Sequence, residues 1–388
     1  MQCLFRGPEV GEPSALPVCR IALFLPSLAG GGAERAAINL AAGIAARGYS
    51  VDLVLARAEG AYLGQVHPSV RVVDLGASRP LTAVPALSRY LRAERPGALL
   101  SILTGANIAA QLAVRLARSS TRCVVCEQCT LSVDLANSSW SNRMVVLALL
   151  RYFYPRAHAV VAISHGVADD LARIIDLRRE SISVVYNPIV SSDLARLSRE
   201  AVSHRWLQGG GPPVIVGAGR LARQKDFGNL IRAFSQLRKR QTARLIILGE
   251  GEGRADLEQL CRVLGVADDV DLPGFVANPH AFFSRAALFA LSSRWEGLAN
   301  VVVEALAAGV PVVSTDCPSG PKEILDGGKY GQLVPVEDSN ALAEAMSRVL
   351  TGNFVATNPE ESVRLFDVET IVDRYLELLV GDRVGTIA

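Results

Sequence analysis

The chain has 388 residues, half of them apolar and a fifth charged, which is enough to bury two domain cores. A net charge of +2 argues against a dedicated nucleic-acid binder, and no uncharged run reaches membrane-spanning length. The charge is unevenly placed: residues 1–205 hold 22 Arg, no Lys and 15 acids, a net of +7, whereas residues 206–388 carry a net of −5. A basic first half fits an anionic neighbour such as pyrophosphate or a phospholipid surface, although an arginine-rich genome gives the same imbalance.

Residues 1–19 contain Arg6, Glu9 and Glu12 and no continuous apolar core, so they read as a loose tail and not as a signal peptide. The expected location is cytoplasmic, with peripheral contact on the inner face of the plasma membrane as an option. From there the pattern alternates. Strands are predicted at 20–26, 51–55, 70–73, 98–102, 122–126, 159–162 and 183–186, with helices at 33–47, 84–93, 106–118, 142–152 and 166–175. Apolar strand runs separated by helices imply a parallel sheet covered on both faces. Residues 187–213 are polar and end in Gly209-Gly210-Gly211-Pro212-Pro213, which reads as a linker. A second alternation follows, with strands at 214–217, 244–248, 270–272, 288–292 and 311–314 and helices at 227–239, 255–264, 299–308 and 341–350.

The expected organisation is therefore α/β: a tail (1–19), a first Rossmann-like domain (20–186), a linker (187–213), a second Rossmann-like domain (214–357), and a final helix (358–388) crossing back to the first. Two doubly wound domains facing each other place a ligand at the carboxyl ends of their strands, in the cleft between them.

The motifs fall at those strand ends. Glu296 and Glu304 are eight residues apart in a segment that runs from a loop into a helix and stops at Gly309-Val310-Pro311. A helix starting near Leu298 leaves the N–H groups of Gly297 to Asn300 free between two carboxylates. Such N–H groups seat phosphate, and carboxylates accept hydrogen bonds from sugar hydroxyls, so the pair suits a nucleotide sugar. Gly219-Arg220-Leu221 with Lys225 follows the first strand of the second domain. Arg220 and Lys225 can reach a diphosphate, although a solvated basic loop reads the same way.

Gly30-Gly31-Gly32 opens the first helix and leaves backbone N–H groups for phosphate; Arg35 stands where a dinucleotide fingerprint needs its third glycine. Gly249-Glu250-Gly251 permits a nucleobase or ribose to lie against backbone, and Gly274-Phe275-Val276 offers backbone groups to the base. Glu323 reads as structural or rim-facing. In the first domain Glu127 and Asn107 are polar groups at strand ends. Cys123, Cys126 and Cys129 have an iron–sulfur-like spacing, but the fourth cysteine is absent and the first two point to opposite faces of a strand. Of the five histidines, His165 borders a strand end, and none has a partner at metal-ligand spacing. The stretch 144–154 is either a basic amphipathic membrane contact or part of the first core.

Together these motifs resemble glycosyltransferase family 4, retaining enzymes of the GT-B fold. The residues that carry the resemblance are Gly30-Gly31-Gly32-Ala33-Glu34-Arg35, Ala162-Ile163-Ser164, Tyr186-Asn187-Pro188, Gly219-Arg220-Leu221 with Lys225, Gly249-Glu250-Gly251 and the Glu296/Glu304 pair. The run from Asp316 to Leu325 looks like a subgroup that uses UDP-N-acetylhexosamines in bacterial lipid-linked glycan or polysaccharide synthesis.

The resemblance implies roles. Arg220, Lys225 and Glu296 would be catalytic, with both cations on the diphosphate and Glu296 on the donor sugar. Gly31, Gly32, Gly249, Gly251, Gly297, Leu298, Asn300 and Glu304 would bind the nucleotide sugar, with Glu304 on the ribose. It further implies a UDP-sugar donor, a polyprenyl-diphosphate-linked or polysaccharide acceptor, and no metal or other cofactor. Replacing Lys225 or Glu304 is expected to abolish transfer and spare the fold. Many relatives carry a histidine after the first-domain glutamate; here the sequence is Cys126-Glu127-Gln128-Cys129, so no such role is assigned. A nucleotide-sugar epimerase of the same architecture and a non-catalytic nucleotide-sugar binder remain as alternatives.

Overall fold

The structure, a computed structural model, describes residues 20–354 and 359–381; the predicted tail lies outside them. The first sheet contains β1 (Arg20–Leu25), β2 (Ser50–Leu55), β3 (Val70–Asp74), β4 (Ala98–Ile102), β5 (Arg122–Glu127), β6 (Ala159–Ala162) and β7 (Ile182–Val184). All seven run parallel in the order β3-β2-β1-β4-β5-β6-β7. The second contains β8 (Val214–Ala218), β9 (Arg244–Leu248), β10 (Val270–Gly274), β11 (Leu288–Leu291), β12 (Val312–Thr315) and β13 (Gln332–Val334), all parallel in the order β10-β9-β8-β11-β12-β13.

These are two doubly wound sheets, covered by helices on both faces. Most of β1, β4, β8 and β11 is fully buried, which is why their sequences are continuous apolar runs and not alternating ones. In each sheet the order reverses beside its first strand, at β1/β4 and at β8/β11. Chain leaving the carboxyl ends there borders an open crevice.

The polar segment 187–213 is more structured than a linker. It forms the helix Leu194–Arg199 and buries Leu194, Val202 and Leu207, and the His204 ring contacts Asp271 at 2.7 Å. Its first residues hydrogen-bond to the returning chain, with the Val190 N–H donating to the Phe366 carbonyl at 2.9 Å. The two crossings between domains thus lie side by side.

The returning helix Val368–Val380 packs on the first domain. The Tyr375 hydroxyl contacts Cys126 Sγ at 3.3 Å, and Arg122 donates to the Leu378 carbonyl at 2.8 Å. Ile371, Val372 and Leu379 are buried in the same core as β1 and β5.

Candidate active site

The second domain presents its charged groups from the loops after β8 and β11. Lys225 Nζ sits 2.5 Å from Glu296 Oε1, and Ser293 donates to the same oxygen at 2.6 Å. Glu296 is only 5% exposed. The two residues assigned to leaving group and sugar therefore meet directly, and each holds the other in place. Among the described residues no hydrogen bond ends on Glu296 Oε2. Arg220 is exposed, and its charge is felt across the cleft by Glu34.

Gly249 and Gly251 are required by the neighbouring loop. A Cβ on Gly249 would lie 2.0 Å from the Gly219 carbonyl oxygen, and one on Gly251 would lie 2.5 Å from that of Leu221. They let two strand-end loops pack backbone to backbone, which sets where Arg220 starts.

The helix after β11 runs Asn300–Ala307, two residues later than its predicted start near Leu298. Ala299 is its N-cap, in the left-handed region at φ 67°. A non-glycine residue there costs about 1–2 kcal/mol, so the surroundings must hold it. Leu298 is buried, the Gly297 carbonyl accepts from Ser164 Oγ at 2.7 Å, and Gly297 abuts the Gln128 carbonyl.

Asn300 spans the cleft. Its Nδ2 donates to the Gly32 carbonyl at 3.0 Å, and its Oδ1 accepts from Asn187 at 3.1 Å. Asn187 in turn exchanges hydrogen bonds with the Gln128 amide. Its side chain is thus committed to the first domain, while among the described residues no hydrogen bond starts from the backbone N–H groups of 297–300.

Glu304 lies one turn further along, on the same helix face as Asn300. It is 8% exposed, and among the described residues no hydrogen bond ends on its carboxylate. His280 senses its charge: burial lowers the imidazole pKa, and Glu304 partly opposes that shift. A buried carboxylate without a donor is costly, and ribose hydroxyls would supply the missing donors.

Across the cleft stands the glycine turn 30–32. Glu34 is the third residue of the helix Gly32–Ala46, and its carboxylate folds back over Gly31. Burial raises its pKa above the usual value, against the pull of the Glu34 and Gly31 N–H groups and Arg220. This carboxylate lies over the glycine turn at which the sequence led us to expect an anion. The sequence already contained that signal, a capping glutamate three positions after the N-cap.

Several other candidates are tied up by partners within the first domain. Glu127 is fully buried and accepts from Thr104 at 2.8 Å and Tyr154 at 2.7 Å; burial holds its pKa above the usual carboxylate value. Asn107 is buried beside it, bonded to Ser101, the Cys126 carbonyl and Tyr154. Both organise the first core. Burial pushes the Cys123 and Cys126 thiols up to about 12, and Cys126 contacts Tyr375 while Cys129 contacts Glu127. Among the described residues, no group of three His, Cys, Asp or Glu gathers at metal-holding range.

Sequence comparison matches a glycosyl transferase 4-like domain over residues 31–188 and a glycosyl transferases group 1 domain over residues 212–352. The chain is 29% identical, over 93% of its length and all of the relative's, to an N-acetylgalactosaminyltransferase of Campylobacter jejuni whose named acceptor is a diphospho-undecaprenol-linked saccharide. A second N-acetylgalactosaminyltransferase of that organism, also named for an undecaprenol-linked acceptor, is 24% identical over 93% of this chain and 98% of its own. Among solved structures, HepE of Anabaena in complex with UDP-glucose superposes with a TM-score of 0.77 at 24% identity, covering 93% of this chain and 99% of that one. With two family matches that together span most of its length, on two facing doubly wound domains of the GT-B type, the chain belongs to the glycosyltransferases, with a group 1 domain following a family 4-like one.

Proposed function

We propose that this glycosyltransferase moves an N-acetylhexosamine from UDP to a polyprenyl-diphosphate-linked or polysaccharide acceptor, with retention at the anomeric carbon and without a metal. The observation that carries the reading is the Lys225–Glu296 pair at 2.5 Å, set in the same cleft as an exposed Arg220 and a buried, undonated Glu304. The lipid-linked acceptors named for the Campylobacter relatives support the substrate class.

In the reaction the bond from the sugar C1 to the β-phosphate oxygen breaks while C1 bonds to the acceptor oxygen on the same face. The acceptor proton passes to a β-phosphate oxygen, and UDP departs. Negative charge grows on the diphosphate, where Arg220, Lys225 and the 297–300 backbone N–H groups can meet it. Donor arrival would draw Lys225 partly from Glu296 toward phosphate, freeing carboxylate oxygen for sugar hydroxyls, and would displace Glu34 from the glycine turn.

Purified protein, UDP-N-acetylhexosamines and a lipid-linked acceptor are expected to yield a product with the donor's anomeric configuration by NMR, at full rate in excess EDTA. An inverted product, or activity restored only by a divalent cation, would overturn the corresponding part of the proposal. A changed sugar released without an acceptor would favour an epimerase.

We further propose that the first domain rests on an anionic membrane through the helix Trp140–Phe153. Leu150 and Phe153 are buried, whereas Trp140 is 77%, Val145 59% and Met144 49% exposed. Part of the stretch is thus core, as one reading expected, and the exposed part is open to the contact that the other supposes. Between Asp134 and Asp169 there is no acid, while Arg143, Arg151 and Arg156 are exposed. Among the described residues no helix is long and apolar enough to cross a membrane. Apolar tips flanked by arginines suit the interface between headgroups and acyl chains. The protein is expected to float with anionic liposomes at low salt, and W140E/M144E to lose that flotation; equal recovery of both would contradict the proposal.

A further inference from the structure

The loop between β12 and β13 is shared by both domains. Glu323, midway along it in the short helix Pro321–Ile324, reaches over to the helix His165–Ile175 of the first domain. Its two carboxylate oxygens accept from the His165 N–H at 2.9 Å and the Gly166 N–H at 2.8 Å, and the Tyr186 hydroxyl approaches at 3.4 Å. A carboxylate on the unpaired N–H groups of a first helical turn is a charge-assisted cap, here supplied by another domain.

The rest of the loop is fitted to the same contact. Gly166 has no side chain where Ser319 arrives: a Cβ there would lie 2.6 Å from Ser319 Oγ and 3.0 Å from its Cα. Ser319 is held at φ 66°, a strained value for a non-glycine residue. Nearer its start the loop touches the reaction centre. The Glu296 N–H donates to the Pro318 carbonyl at 3.2 Å, and Thr130 Oγ1 bonds both the Glu296 carbonyl, at 2.7 Å, and Ser319 Oγ, at 3.2 Å.

We infer that Glu323 is a positioning residue for transfer: it fastens the second domain to the helix His165–Ile175 and so fixes Glu296 against the first domain. The cap forms only when the domains are closed, so it favours the closed arrangement by the free energy of two charge-assisted hydrogen bonds. The inference rests on the transferase reading for its consequence in turnover, but the domain angle it controls is measurable without any reaction.

The test uses the full chain with saturating UDP. Small-angle scattering is expected to show E323A shifted toward an open arrangement, and kcat to fall on the order of tenfold while UDP affinity changes far less. E323D, which keeps the charge, should recover part of both. G166A separates the latch from folding, because alanine suits a helix better than glycine and its methyl meets Ser319 only in the closed form. Its melting temperature should be no lower than wild type, yet it should scatter as an open molecule and turn over slowly. Wild-type scattering and turnover in both E323A and G166A would overturn the inference. Opening of these variants in a protein that transfers nothing would sink the transferase reading and leave the latch standing.

Discussion

Lys225→Ala is expected to lower kcat/KM for the donor by about 100- to 1000-fold, the usual loss when one preorganised donor to a developing anion is removed. The structure adds a second consequence that the sequence did not reveal. Lys225 is the partner of a carboxylate that is nearly out of water, with side-chain exposures of 16% for the lysine and 6% for Glu296. Removing one half of a buried pair typically costs about 3–5 kcal/mol, because the remaining charge is stranded. The expectation that this substitution spares the fold is therefore revised: the melting temperature should fall together with activity. The double variant K225A/E296Q should regain much of the stability and none of the activity. Calorimetry with steady-state kinetics reads both, and a K225A protein of wild-type stability and rate would remove the pair from the site.

Glu304→Gln should separate the same two properties in the opposite sense. Glu304 is buried with no hydrogen bond ending on it among the described residues, and burying an undonated carboxylate costs more than burying an amide. A neutral amide relieves about 1–3 kcal/mol of that cost. The ligand-free melting temperature should rise by a few degrees, about what such a gain produces in a chain of this size. Affinity for UDP should fall roughly 10- to 100-fold, because a hydrogen bond to a charged acceptor is worth about 1.5–3 kcal/mol. More stable and less able to bind is the pattern of a residue kept for its ligand. Unchanged UDP affinity by isothermal titration would detach Glu304 from the nucleotide.

The alternation of buried strands and amphipathic helices was readable because parallel strands covered on both faces have a distinctive apolar run. β13 escaped because it is three residues long and starts at Gln332. Residues 187–213 read as a linker because their polar majority hid Leu194, Val202 and Leu207. The late start of the helix at Asn300 reflects Ala299 in a left-handed conformation, for which alanine gives no warning. The charged constellation was legible as residue types at strand ends, but its pairing was not. Lys225 and Glu296 are 71 positions apart, and nothing local says that they touch. Glu323 read as structural or rim-facing, but its partners, two backbone N–H groups 157 and 158 positions earlier, had no local trace. Contacts made between domains leave little periodic trace in either one.

The returning helix Val368–Val380 bears on how the molecule is made. Tyr375, Ile371, Val372 and Leu379 fill the interior of the domain that begins at β1, yet they are among the last described residues to leave the ribosome. The first lobe therefore waits, with an uncovered apolar groove, until the whole second domain has been synthesised. A nascent chain halted after β13 would carry that exposed groove into the cell, where chaperones or proteases would meet it before any substrate did.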